Sequence, residues 1–150
     1  MSIFQGINIS ASGLTAQRMR MDVISSNLAN INSTRAKRVD GEWVPYRRKM
    51  VVMEPIGQRF ADYLQQASAD AKPVGKGVKV SAIVEDDSPF KLVYQPNHPD
   101  ADENGYVRMP NVDPLKEMVD LLSATRSYEA NVTALNATKG MLMKALQIGR

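Results

Sequence analysis

The apolar positions of this chain are most regular at its two ends. From Met118 the alternating three- and four-residue spacing of a helix seam runs through Leu121, Thr125, Tyr128, Val132, Leu135, Leu142 and Leu146, with Lys139 the one charged residue on that line. The spacing predicts a helix over 114–150 with a partner helix. Asp113 can cap its first free amides, and Pro114 suits the first helical position, where a missing N–H costs nothing. At 1.5 Å per residue, about 35 residues span roughly 50 Å. A chain of 150 residues has too little else to cover such a rod, so much of it must pack on something outside.

Residues 2–33 predict the partner. Ile3, Ile7, Ala11, Leu14, Met21, Ile24, Leu28 and Ile31 step by threes and fours, and Ile7, Leu14, Met21 and Leu28 repeat at seven. The opposite face carries Ser10, Gly13, Thr15, Ser26, Asn27 and Asn30, small and polar residues that allow close approach. The pattern stops at 30–34 in Asn, Ser and Thr, which bond their own backbone and favour turns.

The middle reads differently. Lys49–Glu54 has strand composition, Gly77–Val84 alternates, and Phe90–Tyr94 follows a turn at Asp86–Pro89, which together predict a hairpin. Gly57–Pro73, with a short amphipathic piece at Phe60, Tyr63 and Leu64, reads as a loop insertion. The expected fold is mainly α with a small β-rich insert: residues 35–113 form the insert, and 1–34 with 114–150 form one discontinuous helical domain whose helices pair as a coiled coil.

Composition narrows the chemistry. No cysteine removes disulfides and thiolate metal sites, and one histidine, His98, between Asn97 and Pro99, offers no catalytic relay. No cofactor is expected, and no catalytic constellation is visible. Asp100, Asp102, Asn104 and Gly105 match the opening of a calcium loop, but its twelfth position is Asn111 rather than a bidentate Glu, so a polar turn is expected. The N-terminal segment lacks the basic start and unbroken apolar run of a cleavable secretion signal, and nothing approaches a membrane span, so no direct membrane insertion is expected. Charge is uneven: residues 1–50 carry eight Lys or Arg against three Asp or Glu, and residues 51–113 carry six against ten. Arg35, Lys37, Arg38, Arg47, Arg48 and Lys49, with Trp43 and Tyr46 among them, lack a nucleic-acid motif and read as a solvated or subunit-facing strand edge. No nucleic acid is expected as a partner.

Ser25-Ser26-Asn27-Leu28-Ala29-Asn30, followed by Asn32 and Thr34, resembles the N-terminal signature of bacterial flagellar rod, hook and related axial proteins. Arg126-Ser127-Tyr128-Glu129-Ala130-Asn131-Val132, with Asn136, Lys139, Met141, Ala145, Leu146 and Ile148, resembles the C-terminal one. Pro45-Tyr46-Arg47-Arg48-Lys49, Gly77-Val78-Lys79-Val80, His98-Pro99-Asp100-Ala101-Asp102, Gly105-Tyr106-Val107 and Pro110-Asn111-Val112 narrow the resemblance to the proximal rod proteins of that family. The resemblance implies a structural subunit, exported without a cleaved signal by the flagellar type III apparatus. It would assemble in the periplasm with copies of itself and other rod subunits into the tube around the export channel. Combined with the periodicity, it places Ile7, Leu14, Met21, Leu28, Met118, Leu121, Tyr128, Val132, Leu135 and Leu142 in the helix-pairing seam. It likewise sets Asn27, Asn30, Arg47, Arg48, Asn131 and Asn136 toward neighbouring subunits. The alternative is a coiled-coil adaptor that binds an acidic partner through Arg35–Lys49.

Overall fold

The computed structural model describes residues 3–57 and 75–148. The expected insertion at 57–73, with Phe60, Tyr63 and Leu64, lies outside the described residues except for Gly57. In chain order the elements are α1 (Ile3–Ala29), β1 (Lys37–Val39), β2 (Glu42–Val44), β3 (Lys49–Pro55), β4 (Val78–Glu85), β5 (Lys91–Tyr94), β6 (Tyr106–Met109) and α2 (Pro114–Ile148). Both terminal helices form where their apolar periods predicted them. Asp113 accepts the Leu115 amide at 3.1 Å, so α2 starts on the expected cap. No helix among the described residues is long and apolar enough to cross a membrane.

The strands pair in twos: β1 with β2, β3 with β4, and β5 with β6. The expected hairpin between 77–84 and 90–94 is corrected, because β4 pairs with β3 and β5 takes β6 in an antiparallel register that sets Tyr94 opposite Tyr106. Residues 86–89 turn the chain, as their composition requires, but away from β4. The hairpin β1–β2 is a further element, with Arg38 opposite Trp43. Its two-residue connection is Asp40-Gly41, with φ of 50° and 92°, the left-handed pair whose twist suits a tight hairpin.

The chain divides into two compact units, each drawing on both helices. One comprises residues 1–19, 52–82 and 124–150. Here Gly13 on α1 lies against the Asn131 amide of α2. Ser12 accepts the Val78 amide at 3.1 Å while donating to the Ile9 carbonyl at 2.7 Å, so one hydroxyl fixes the start of β4 on the helix. Ile56 donates its amide to the Gly77 carbonyl at 2.9 Å. Gly77 has φ +121°, and a Cβ there would stand 2.4 Å from the Ser12 hydroxyl. Only glycine meets both demands.

The other unit comprises residues 20–51 and 83–123. Its interior holds Val23, Ile24, Tyr46, Val107, Pro110 and Val112, together with the polar residues Asn27, Arg48 and Glu117. Glu117 is the largest side chain fully buried among the described residues. A carboxylate therefore sits where a small core would ordinarily place an aromatic ring.

Gly77→Ala tests the seat of β4 on α1. Forcing a side chain into that backbone region costs about 1–3 kcal/mol before the clash is counted, and urea unfolding of the full chain should show a loss at least that large. Removing the hydroxyl as well, in Gly77→Ala/Ser12→Ala, should recover the part due to the clash.

Candidate functional site

Arg48 stands just before β3, and its backbone is held on both sides. Its amide donates to Asn111 Oδ1 at 2.8 Å, and its carbonyl accepts the Asp86 amide at 2.8 Å. The guanidinium then reaches three carboxylates. Nε donates to Glu117 Oε1 at 2.5 Å, Nη2 lies 3.4 Å from Asp120 Oδ2, and Nη1 lies 3.7 Å from Asp86 Oδ2. Arg20 of α1 meets the other Asp120 oxygen at 3.3 Å. Two guanidinium groups thus face three carboxylates around the first turns of α2.

Asn27 completes the cluster from α1. Its amide nitrogen donates to the Lys49 carbonyl at 2.9 Å and to Glu117 Oε2 at 3.0 Å, while its oxygen accepts the Lys49 amide at 2.9 Å and the Tyr46 hydroxyl at 3.0 Å. One side-chain amide satisfies both backbone groups of Lys49, as a neighbouring strand would. Asn27 and Glu117 are 0% exposed, so burial here is complete and every hydrogen bond matters.

A second polar junction ties the turn after α1 to the β5–β6 connection. Arg35 holds Asp100 Oδ1 through Nε at 2.7 Å, and Thr34 donates to Oδ2 at 2.8 Å. These hydrogen bonds, Arg35 first and Thr34 second, hold the Asp100 carboxyl below the usual carboxylate range. Asp86 is lowered too, chiefly by the Ser88 hydroxyl and amide. The calcium-like loop is therefore a structural turn, its first carboxylate committed to a guanidinium. Among the described residues no group of three or more Asp, Glu or His could hold a metal ion.

Several expected site residues lie elsewhere than their assignment. Asn27 and Arg48, expected to face neighbours, are buried within the chain. Asn30 folds back onto the Ser26 carbonyl at 2.9 Å, and Asn131 onto the Ser127 carbonyl at 2.9 Å. Arg47 is half-buried and Asn136 is exposed. In the expected seam, Ile7, Leu14, Met21, Leu28, Leu121, Tyr128, Val132, Leu135 and Leu142 are half-buried, but Met118 is 60% exposed. The buried positions are Ser10, Ala16, Val23, Ile24 and Asn27 on α1 and Glu117 and Ala124 on α2. Gly13, Arg20 and Asn27 of α1 also meet residues of α2, namely Asn131, Asp120 and Glu117. Glu117, Asp120, Asp86 and Asn111 went unassigned. Their partners are remote in sequence, and no local pattern reveals them.

Two exposed stretches of α2 are rich in large apolar side chains. Leu115, Met118, Val119 and Leu122 form an exposed stripe along its first turns, and Met141, Met143, Leu146 and Ile148 are exposed near its end. Polar clusters whose charges meet other protein groups, beside long helices with uncovered apolar faces, define a structural chain made for assembly.

Comparison with known proteins agrees with that class. The family described as flagella basal body rod protein matches residues 7–37, and the family described as flagellar basal body rod FlgEFG protein C-terminal matches residues 103–148. Relatives named flagellar basal-body rod protein FlgC match over nearly the whole chain. That of Bacillus subtilis is 65% identical over the full length of both chains. That of Borreliella burgdorferi is 44% identical over 99% of this chain and 98% of its own. That of Salmonella typhimurium is 43% identical over the full length of both. The chain belongs to the FlgC family of flagellar basal-body rod proteins, and it is a structural subunit of the basal body rather than an enzyme.

Two measurements check the cluster. Glu117→Ala leaves Arg48 without its shortest partner in a buried place, and chemical unfolding should show a loss of about 3–5 kcal/mol. The double variant Arg48→Met/Glu117→Met should be distinctly more stable than either single change. For Asp100 the sign follows from its lowered folded value. Its contribution is present above the usual carboxylate value near 4 and is lost as pH falls through the lower folded value. The melting-temperature gap between wild type and Asp100→Asn should therefore be widest near neutrality and close on acidification.

Proposed function

We propose that this subunit polymerises through its terminal helices, with α1 and α2 pairing as a coiled coil and the outward face of α2 packing on neighbouring subunits to form the wall around the export channel. The uncovered stripe Leu115, Met118, Val119 and Leu122 carries this reading. A monomer gains nothing by exposing four large apolar side chains at adjacent helical positions, whereas a wall of helices buries them at about 25 cal/mol per Å².

The order of contacts supports the pairing. As position on α1 advances by sevens from Gly13 to Arg20 to Asn27, the partner on α2 retreats from Asn131 to Asp120 to Glu117. Contacts that advance on one helix as they retreat on the other suit two antiparallel helices. In this reading 1–34 and 114–150 act as the helical domain and 35–113 as its insert. Export by the flagellar type III apparatus without a cleaved signal, and residence in the periplasmic part of the rod, rest on family membership. The matched relatives named above are all rod proteins, which gives the adaptor alternative no support.

Met118→Asp/Leu122→Asp separates assembly from folding. Both positions are exposed, so the isolated chain should melt within a few degrees of wild type. In complementation of a strain lacking its own copy, rods should fail and swimming should be lost. Normal swimming by that variant would refute the outward-face assignment.

A further inference from the structure

A cleft of about 670 Å³ opens beside the β1–β2 hairpin, and its charged lining is uneven: Arg35, Lys37, Arg47 and Lys49 against the single carboxylate of Glu85. What holds these cations is informative. Arg35 is neutralised by Asp100, but the Lys49 ammonium stands 5.7 Å from the centroid of the Tyr46 ring. Arg47 stacks 4.9 Å over Phe90 and points Nη1 at the Asp86 carbonyl, 3.3 Å away. The nearest carboxylate to Arg47, Asp87 at 3.8 Å, is fully exposed to solvent. Neither Lys37 nor Lys49 has a carboxylate partner among the described residues. An aromatic face orients a cation without cancelling its charge. Lys49 is moreover presented from a backbone fixed at both its N–H and its C=O by Asn27. Lys49 is thus positioned, and Lys37 and Lys49 are left without a countercharge among the described residues.

We propose that this cleft is a carboxylate-binding site that seats an acidic, extended segment of a neighbouring rod subunit. The anion chemistry stands on the cleft itself, and the identity of its donor rests on the rod reading above. A peptide suits the cleft better than a nucleic acid: the volume admits a few side chains, and Glu85 in the lining repels a continuous phosphate backbone while leaving room for spaced carboxylates. Binding would be charge-assisted and strongly salt-dependent.

The test uses the full chain and hexaglutamate as probe, followed by titration calorimetry at low and high salt. Hexaglutamate should bind, and binding should weaken at least tenfold in Lys37→Glu/Lys49→Glu. It should persist in Lys37→Arg/Lys49→Arg and in Arg108→Glu, which removes an exposed cation outside the cleft. Should charge reversal unfold the chain, Lys37→Gln/Lys49→Gln supplies the same comparison. No binding by the wild type, equal binding by the charge-altered variant, or tighter binding of a six-nucleotide single strand would overturn the proposal. Incorporation into basal bodies in complemented cells separates the two readings. A wild-type chain that fails to incorporate sinks the rod reading, whatever the titration shows. A charge-reversed variant that incorporates at the wild-type level sinks the seating of a neighbour alone.

Discussion

A buried carboxylate sets the terms for one half of this molecule. Glu117 has no access to water, and an isolated ionised carboxylate in that position would cost several kcal/mol or more. It is tolerated because Arg48 and Asn27 each reach one of its oxygens. Satisfying it recruits residues from α1, the approach to β3, the turn at 86 and the start of α2, segments separated by up to 90 positions. Removal of any one of these strands another. With three phenylalanines and one tryptophan in 150 residues, the chain lacks the apolar volume for a large core, and polar geometry carries the burden of specifying how the segments meet.

That choice explains what could be read from the sequence. The two helices were legible because periodicity over about 30 residues outweighs local noise, and the Asp113-Pro114 start was legible because capping is local chemistry. A search for apolar heptads settles on Ile7, Leu14, Met21 and Leu28, which are half-buried, and passes over the polar contacts that Arg20 and Asn27 make with α2. The β1–β2 hairpin carried its signal in Asp40-Gly41 and was obscured by the surrounding basic residues. The pairing of β5 with β6 was not legible, since strand partners are fixed by the return of the chain after Gly105 rather than by the composition of β5. Arg48 with Glu117 is a contact at a separation of 69 residues that no local pattern announces.

The chain buries a polar cluster beside its apolar core. Asn27, Arg48 and Glu117 lie inside with Val23, Ile24 and Val112, while Leu115, Met118, Val119 and Leu122 of α2 are exposed. In the proposed assembly the exposed stripe of α2 is buried on joining other subunits. The basic cleft adds two lysines without a carboxylate partner among the described residues, Lys37 and Lys49.

Methionine is prominent on the uncovered faces: Met19 of α1 and Met118, Met141 and Met143 of α2 are all exposed. A thioether adapts readily to an uneven neighbouring surface, yet it is also oxidised to a polar, chiral sulfoxide that no longer suits an apolar contact. In the proposed assembly these sulfurs are reachable only until a neighbour covers them. Oxidative damage would therefore fall on subunits awaiting incorporation, and a completed rod would keep its methionines reduced by shielding them.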